Sequence, residues 1–100
     1  MNNEFCAKSI REKVLESIEL QNIENVRVLS VNEGEHSNQL GNFNIEIKNK
    51  IVGICTWLPS TVEVQITNSI NGETEKIETF ENTTINESAN EIIECINNNA

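Results

Sequence analysis

Two stretches of this chain alternate apolar and polar side chains residue by residue, and a period of two belongs to a strand with one buried face. Phe43, Ile45 and Ile47 alternate with Asn44, Glu46 and Lys48, and Val62, Val64 and Ile66 alternate with Glu63, Gln65 and Thr67. Past the second stretch lies Asn71-Gly72, the strongest turn signal in the chain, because both residues tolerate the positive φ of a tight hairpin turn. A two-residue turn there pairs Ile70 with Glu73, Ile66 with Ile77 and Val64 with Thr79 on one face. The run Ile51 to Trp57 follows the first stretch, and a turn at Asn49-Lys50 sets Phe43, Ile45 and Ile47 opposite Thr56, Ile54 and Val52. Lysine suits positive φ poorly, so a slightly longer loop competes with that arrangement.

Pro59 ends this strand, and Val26 to Val31, short and β-branched, supplies another. Residues 32–41 have no period and many turn formers, which makes them the longest loop.

Helical periodicity flanks the strands. Cys6, Ile10, Val14 and Ile18 recur every fourth residue with Ala7 and Leu15 beside them, predicting a helix over 4–22 with Asn3 as its cap and Glu4 paired to Lys8. Thr84-Ile85-Asn86-Glu87 has the S/T-x-x-E form of a capping box, after which Ile85, Ala89, Ile92, Ile93 and Ile96 form one apolar stripe. The run Asn97 to Asn99 is expected to fray. Both stripes need an apolar partner, and one face of an antiparallel sheet is the only large one available. The expected fold is therefore α+β: one domain over 1–100, an N-terminal helix, an antiparallel sheet of four to five strands built from hairpins, and a C-terminal helix packed on one sheet face.

With 100 residues there is room for one modest core. All 16 acidic residues are glutamate, and Asn, Ile and Glu together make up nearly half the chain, a bias toward A/T-rich codons that suggests a low-GC bacterium or one of its phages or mobile elements. Sixteen acids against seven bases leave a net charge of −9, which repels nucleic-acid phosphates and anionic membranes. No apolar run is long enough to span a bilayer, and the first residues lack the basic-then-apolar plan of a signal peptide, so the cytosol is the expected location.

Three cysteines, Cys6, Cys55 and Cys95, show no C-x-x-C spacing, and their odd number argues against a disulfide framework. Cys6 and Cys95 lie on or beside helical stripes and are expected to be small buried hydrophobes; Cys55 points to the other sheet face. The single histidine, His36, follows two loop carboxylates, Glu33 and Glu35, too few ligands for a tetrahedral metal site, and no phosphate-cradling glycine motif is present. No metal, no cofactor and no catalytic residue is expected.

Two features point to binding. Residues 60–100 hold eight Glu against Lys76 alone, a net −7, and the expected register brings Glu63 and Glu78 close together on the outward sheet face near Glu81. Trp57 and Phe80 lie by the same registers on the face away from Phe43, Ile45 and Ile47, as an aromatic patch of the kind that anchors interfaces. The expected function is a non-enzymatic acidic module whose partner-binding residues Glu63, Glu78, Glu81, Trp57 and Phe80 mask the basic, nucleic-acid-binding surface of another protein. Small acidic inhibitors of phage or mobile-element origin, the nucleic-acid mimics of the anti-CRISPR kind included, share this size and charge. A structural module that oligomerises through an exposed sheet edge or face is the alternative, and a cysteine-dependent enzyme the third.

Overall fold

The computed structural model of the chain describes residues 5–33 and 39–99. Helix α1 (Ala7–Leu20) leads into five strands, β1 (Val26–Val28), β2 (Gln39–Ile47), β3 (Lys50–Trp57), β4 (Thr61–Asn68) and β5 (Thr74–Phe80), and helix α2 (Ile85–Asn99) closes the chain. The strands form one antiparallel meander in the order β1-β2-β3-β4-β5. The α+β arrangement expected from the periodicities is the one observed.

One sheet face carries the core. Phe43, Ile45 and Ile47 of β2, Val52 and Ile54 of β3, and Val62, Val64 and Ile66 of β4 are buried against Ala7, Ile10 and Val14 of α1 and Ala89, Ile92, Ile93 and Ile96 of α2. Each fully buried branched side chain contributes about 2 kcal/mol, so these residues dominate the folding energy. The two helices also pack on each other.

Helix α1 starts later than its periodicity predicts. Cys6 is extended (φ −159°, ψ 168°) at the N-cap position and makes no capping bond with its side chain, while Asn3 and Glu4, the expected cap and first-turn acid, lie outside the described residues. The helix ends at Leu20 with Gln21 as its C-cap; Asn22 beyond it takes the left-handed conformation, φ 52°, and the Ile23 N–H reaches back to the Ile18 carbonyl at 3.0 Å. Arg11 then anchors the neighbouring strand, its Nε donating to the Leu29 carbonyl at 2.6 Å. Strand β1 stops at Val28, short of the expected Val31, and part of the expected 32–41 loop is strand, since β2 begins at Gln39. His36 and Glu35 lie outside the described residues.

Gly41 lets α1 approach the sheet. It sits at a register irregularity in β2 with φ +101°, and a Cβ there would stand 3.1 Å from the Ala7 Cβ and 3.2 Å from the Asn32 carbonyl. The buried Thr56 hydroxyl donates to the Gly41 carbonyl at 2.9 Å, so both polar groups are satisfied.

Both hairpin registers differ from expectation. The first turn is Lys48-Asn49, with Ile47 opposite Lys50, Ile45 opposite Val52 and Phe43 opposite Ile54. Lys48 takes a φ of 48° despite its side chain, and the Asn49 carbonyl accepts the Ser69 N–H at 2.8 Å, tying two hairpin ends together. The shift of two residues keeps every side chain on its expected face.

The second hairpin does not. Its loop is Ser69–Gly72, closed by the Gly72 N–H on the Asn68 carbonyl (2.8 Å) and the Asn68 N–H on the Glu73 carbonyl (2.9 Å). The Asn68 side chain accepts the Ile70 N–H at 2.9 Å, the Asn71 side chain accepts that of Glu73 at 2.9 Å, and Gly72 supplies the positive φ of 73°. With a bulge between Thr67 and Ile66, the pairs become Ile66 with Lys76, Gln65 with Ile77, Val64 with Glu78 and Val62 with Phe80. A one-residue slip turns a strand over, so Ile77 faces outward, 56% exposed, and Phe80 packs against the core.

The capping box at α2 forms as expected: the Thr84 hydroxyl accepts the Glu87 N–H and the Glu87 carboxylate accepts the Thr84 N–H, both at 3.1 Å. The terminal asparagines continue the helix, with Asn99 Nδ2 donating to the Cys95 carbonyl at 2.7 Å.

Candidate functional site

Strand β5 is a sheet edge, and its helix-side positions are Lys76, Glu78 and Phe80, opposite Ile66, Val64 and Val62. Helix α2 presents Glu91, Glu94 and Cys95 toward the same strand. Between them lies a cleft of about 390 Å³ with an apolar floor of Val64, Ile66 and Phe80 and a rim of Glu75, Glu78, Glu91 and Glu94.

The charges around the cleft are unbalanced. Lys76 pairs with Glu78, and Lys50 reaches across from β3 to Glu75, whose second oxygen accepts Asn68 Nδ2 at 3.3 Å. These contacts hold the Glu75 carboxyl below the ordinary carboxylate range, the Lys50 hydrogen bond first and the Asn68 bond next. The hydrogen bond that Lys76 donates to Glu78, then the charge of that carboxylate, pushes the Lys76 ammonium above its ordinary value, and Glu94 adds to that field. Neither Glu91 nor Glu94 forms an ion pair among the described residues. Like charges one helical turn apart destabilise the free helix slightly, and an approaching cation relieves them.

Cys95 forms part of the cleft wall. It is half-buried rather than buried as expected, and burial, followed by the Glu78 charge, pushes its thiol up while Lys76 opposes the shift. Cys6 is likewise only half-buried, its Sγ 3.3 Å from the Ser9 hydroxyl. Cys55 lies on the open sheet face, as expected, with Gln39 Nε2 donating to its sulfur at 3.1 Å. Among the described residues no group of three or more His, Cys, Asp or Glu is placed to hold a metal ion, and no helix is long and apolar enough to cross a membrane.

The five residues expected at a partner surface do not share one. Glu78 and Phe80 line the cleft, Phe80 as part of its floor rather than as an outward aromatic. Glu63 stands opposite Cys55 and Thr79 on the open face, so it and Glu78 point to opposite sides of the sheet. Trp57 is on that open face, half-buried beside the exposed Leu58 and without Phe80 as a neighbour. Glu81 lies exposed just past the end of β5. The one-residue register difference at the second hairpin accounts for the misplacement of Glu78 and Phe80. Sequence reasoning missed Glu91 and Glu94, although Glu87, Glu91 and Glu94 recur at helical spacing beside the isoleucine stripe.

Compared with known proteins, the chain matches no protein-family model, no curated protein and no solved structure.

Proposed function

We propose that this protein is a non-enzymatic acidic binding module that docks the β5–α2 cleft onto a basic surface of a partner protein and masks it. The observation that carries this reading is the pairing of an apolar floor, Val64, Ile66 and Phe80, with four carboxylates, two of them without an ion-pair partner among the described residues. A lysine or arginine stem buries its methylenes on such a floor while its head meets the rim, so the site selects cationic side chains and not cations in general. Basic nucleic-acid-binding grooves present side chains of this kind in rows. An inhibitor that occupies such a groove, of the phage or mobile-element anti-defence class, fits the size and the net charge of −9. Three cysteines that form no disulfide among themselves fit a cytosolic setting.

Calorimetry with an arginine-rich decapeptide tests the reading. Neutralising Glu78, Glu91 and Glu94 to Gln is expected to weaken binding by about tenfold or more, whereas neutralising Glu12, Glu19 and Glu24 on and beyond α1 changes it by less than about threefold. Equal losses from the two triple variants would reduce the acidic residues to a solvating role.

A further inference from the structure

Strand β5 pairs with β4 along one side and, among the described residues, with no strand along the other, over the seven residues Thr74–Phe80; the opposite edge, β1, has only three. An open edge is a template for a second strand, and charged side chains usually block it. On β5 two opposite charges flank Ile77, Lys76 on one side and Glu78 on the other.

We propose that β5 pairs antiparallel with β5 of a second copy of this chain about a two-fold axis at Ile77, joining two five-stranded sheets into one. In that register Lys76 of each copy stands opposite Glu78 of the other, Glu75 opposite Thr79 and Thr74 opposite Phe80. Opposite charges directly across a ladder stabilise it and like charges destabilise it. Sliding one copy by one residue sets Glu75 opposite Glu78 in one direction and leaves Lys76 facing Thr79 in the other, so the charges select a single register. Ile77, 56% exposed on the open face, meets its own counterpart at the axis and is covered by it. The isologous pairing closes at two copies and leaves only the short β1 edges outside.

The two-fold axis runs perpendicular to the sheet, which puts the helices of both copies on the same side. Each β5–α2 cleft then opens toward the other, and the dimer presents one acidic channel flanked by two α2 helices. This pairing stands whether or not a cationic partner docks there, because it rests on the edge strand alone.

Sedimentation equilibrium of the full chain, from micromolar to millimolar concentration at about 0.15 M salt, reads it directly. The expected result is a reversible monomer–dimer equilibrium. Ile77→Lys, which brings two ammonium groups face to face, and Lys76→Glu, which sets carboxylates opposite Glu78, each weaken it by about tenfold or more. The double swap Lys76→Glu with Glu78→Lys keeps the palindrome and restores association to within about threefold of the original chain. Circular dichroism checks that every variant keeps its fold, which the exposure of these positions favours. A chain monomeric throughout the range, a dimer indifferent to Ile77→Lys, or a double swap no better than Lys76→Glu alone would overturn the proposal.

Discussion

Val62 and Phe80 stand opposite each other across the β4–β5 ladder, and this one pairing sorts the residues of the edge strand between the two sides of the sheet. With Phe80 on the core side, Lys76 and Glu78 follow it to the helix side, and Ile77 and Thr79 face solvent. The cleft beneath α2 exists because of that sorting.

The register makes opposite demands on two neighbouring apolar residues. Phe80→Ala is expected to cost about 2 kcal/mol or more, while Ile77→Ala stays within about 0.5 kcal/mol. Urea denaturation of both variants decides it, and the reverse order would return the strand to the register of a two-residue turn.

Gly41 and Thr56 hold the junction of α1 with the sheet. Gly41→Ala meets the Ala7 Cβ at 3.1 Å and the Asn32 carbonyl at 3.2 Å in a left-handed backbone, and it is expected to cost about 2 kcal/mol or more. Thr56→Val keeps the shape but leaves the Gly41 carbonyl without its donor, at about 1 kcal/mol. Thermal denaturation of the two variants checks both values.

Loop Ser69–Gly72 depends on the backbone angle of Gly72 and on the side chains of Asn68 and Asn71. Gly72 has open space around it, so Gly72→Val is destabilising through its φ of 73° alone, by more than about 1 kcal/mol. Asn68→Ala removes the acceptor for the Ile70 N–H and is expected to cost about 1 kcal/mol, with exchange of that amide accelerated.

These positions also show what the sequence made legible. Alternation at Phe43, Ile45 and Ile47 and at Val62, Val64 and Ile66 identified the buried sheet face, and the Thr84–Glu87 box and the isoleucine stripe identified α2, because burial and capping act on local patterns. Asn71-Gly72 located the second hairpin but not its register. Asn68 competes for the same turn with its own side chain, and a bulge at Thr67 takes up one more residue; neither leaves a periodic trace. The cleft was illegible for the same reason, since Glu78 and Glu94 come to line one cleft only through that register and the packing of α2.

The raised thiol of Cys95 carries a pH dependence. Burial and Glu78 disfavour the thiolate in the folded state, so the native chain holds this proton to higher pH than the unfolded chain. Stability from this group is therefore complete below the ordinary thiol value of 9.0 and falls as pH rises through the folded value. Alkylation of Cys95, followed by mass spectrometry, is expected to accelerate at higher pH in the folded protein than in urea, and Glu78→Gln should bring that rise back toward lower pH. Coincident profiles for folded and unfolded chain would remove the effect.

The central claim, that the acidic cleft between β5 and α2 is where a basic partner docks, is tested most directly by titrating the isotope-labelled protein with an arginine-rich peptide and following its amide resonances. The account predicts saturable shifts concentrated at Val64, Ile66, Lys76, Glu78, Phe80, Glu91 and Cys95, weakening steeply as salt rises. Shifts spread evenly over the glutamates of α1 and α2, or confined to the open face around Trp57, Cys55 and Gln65, would contradict it.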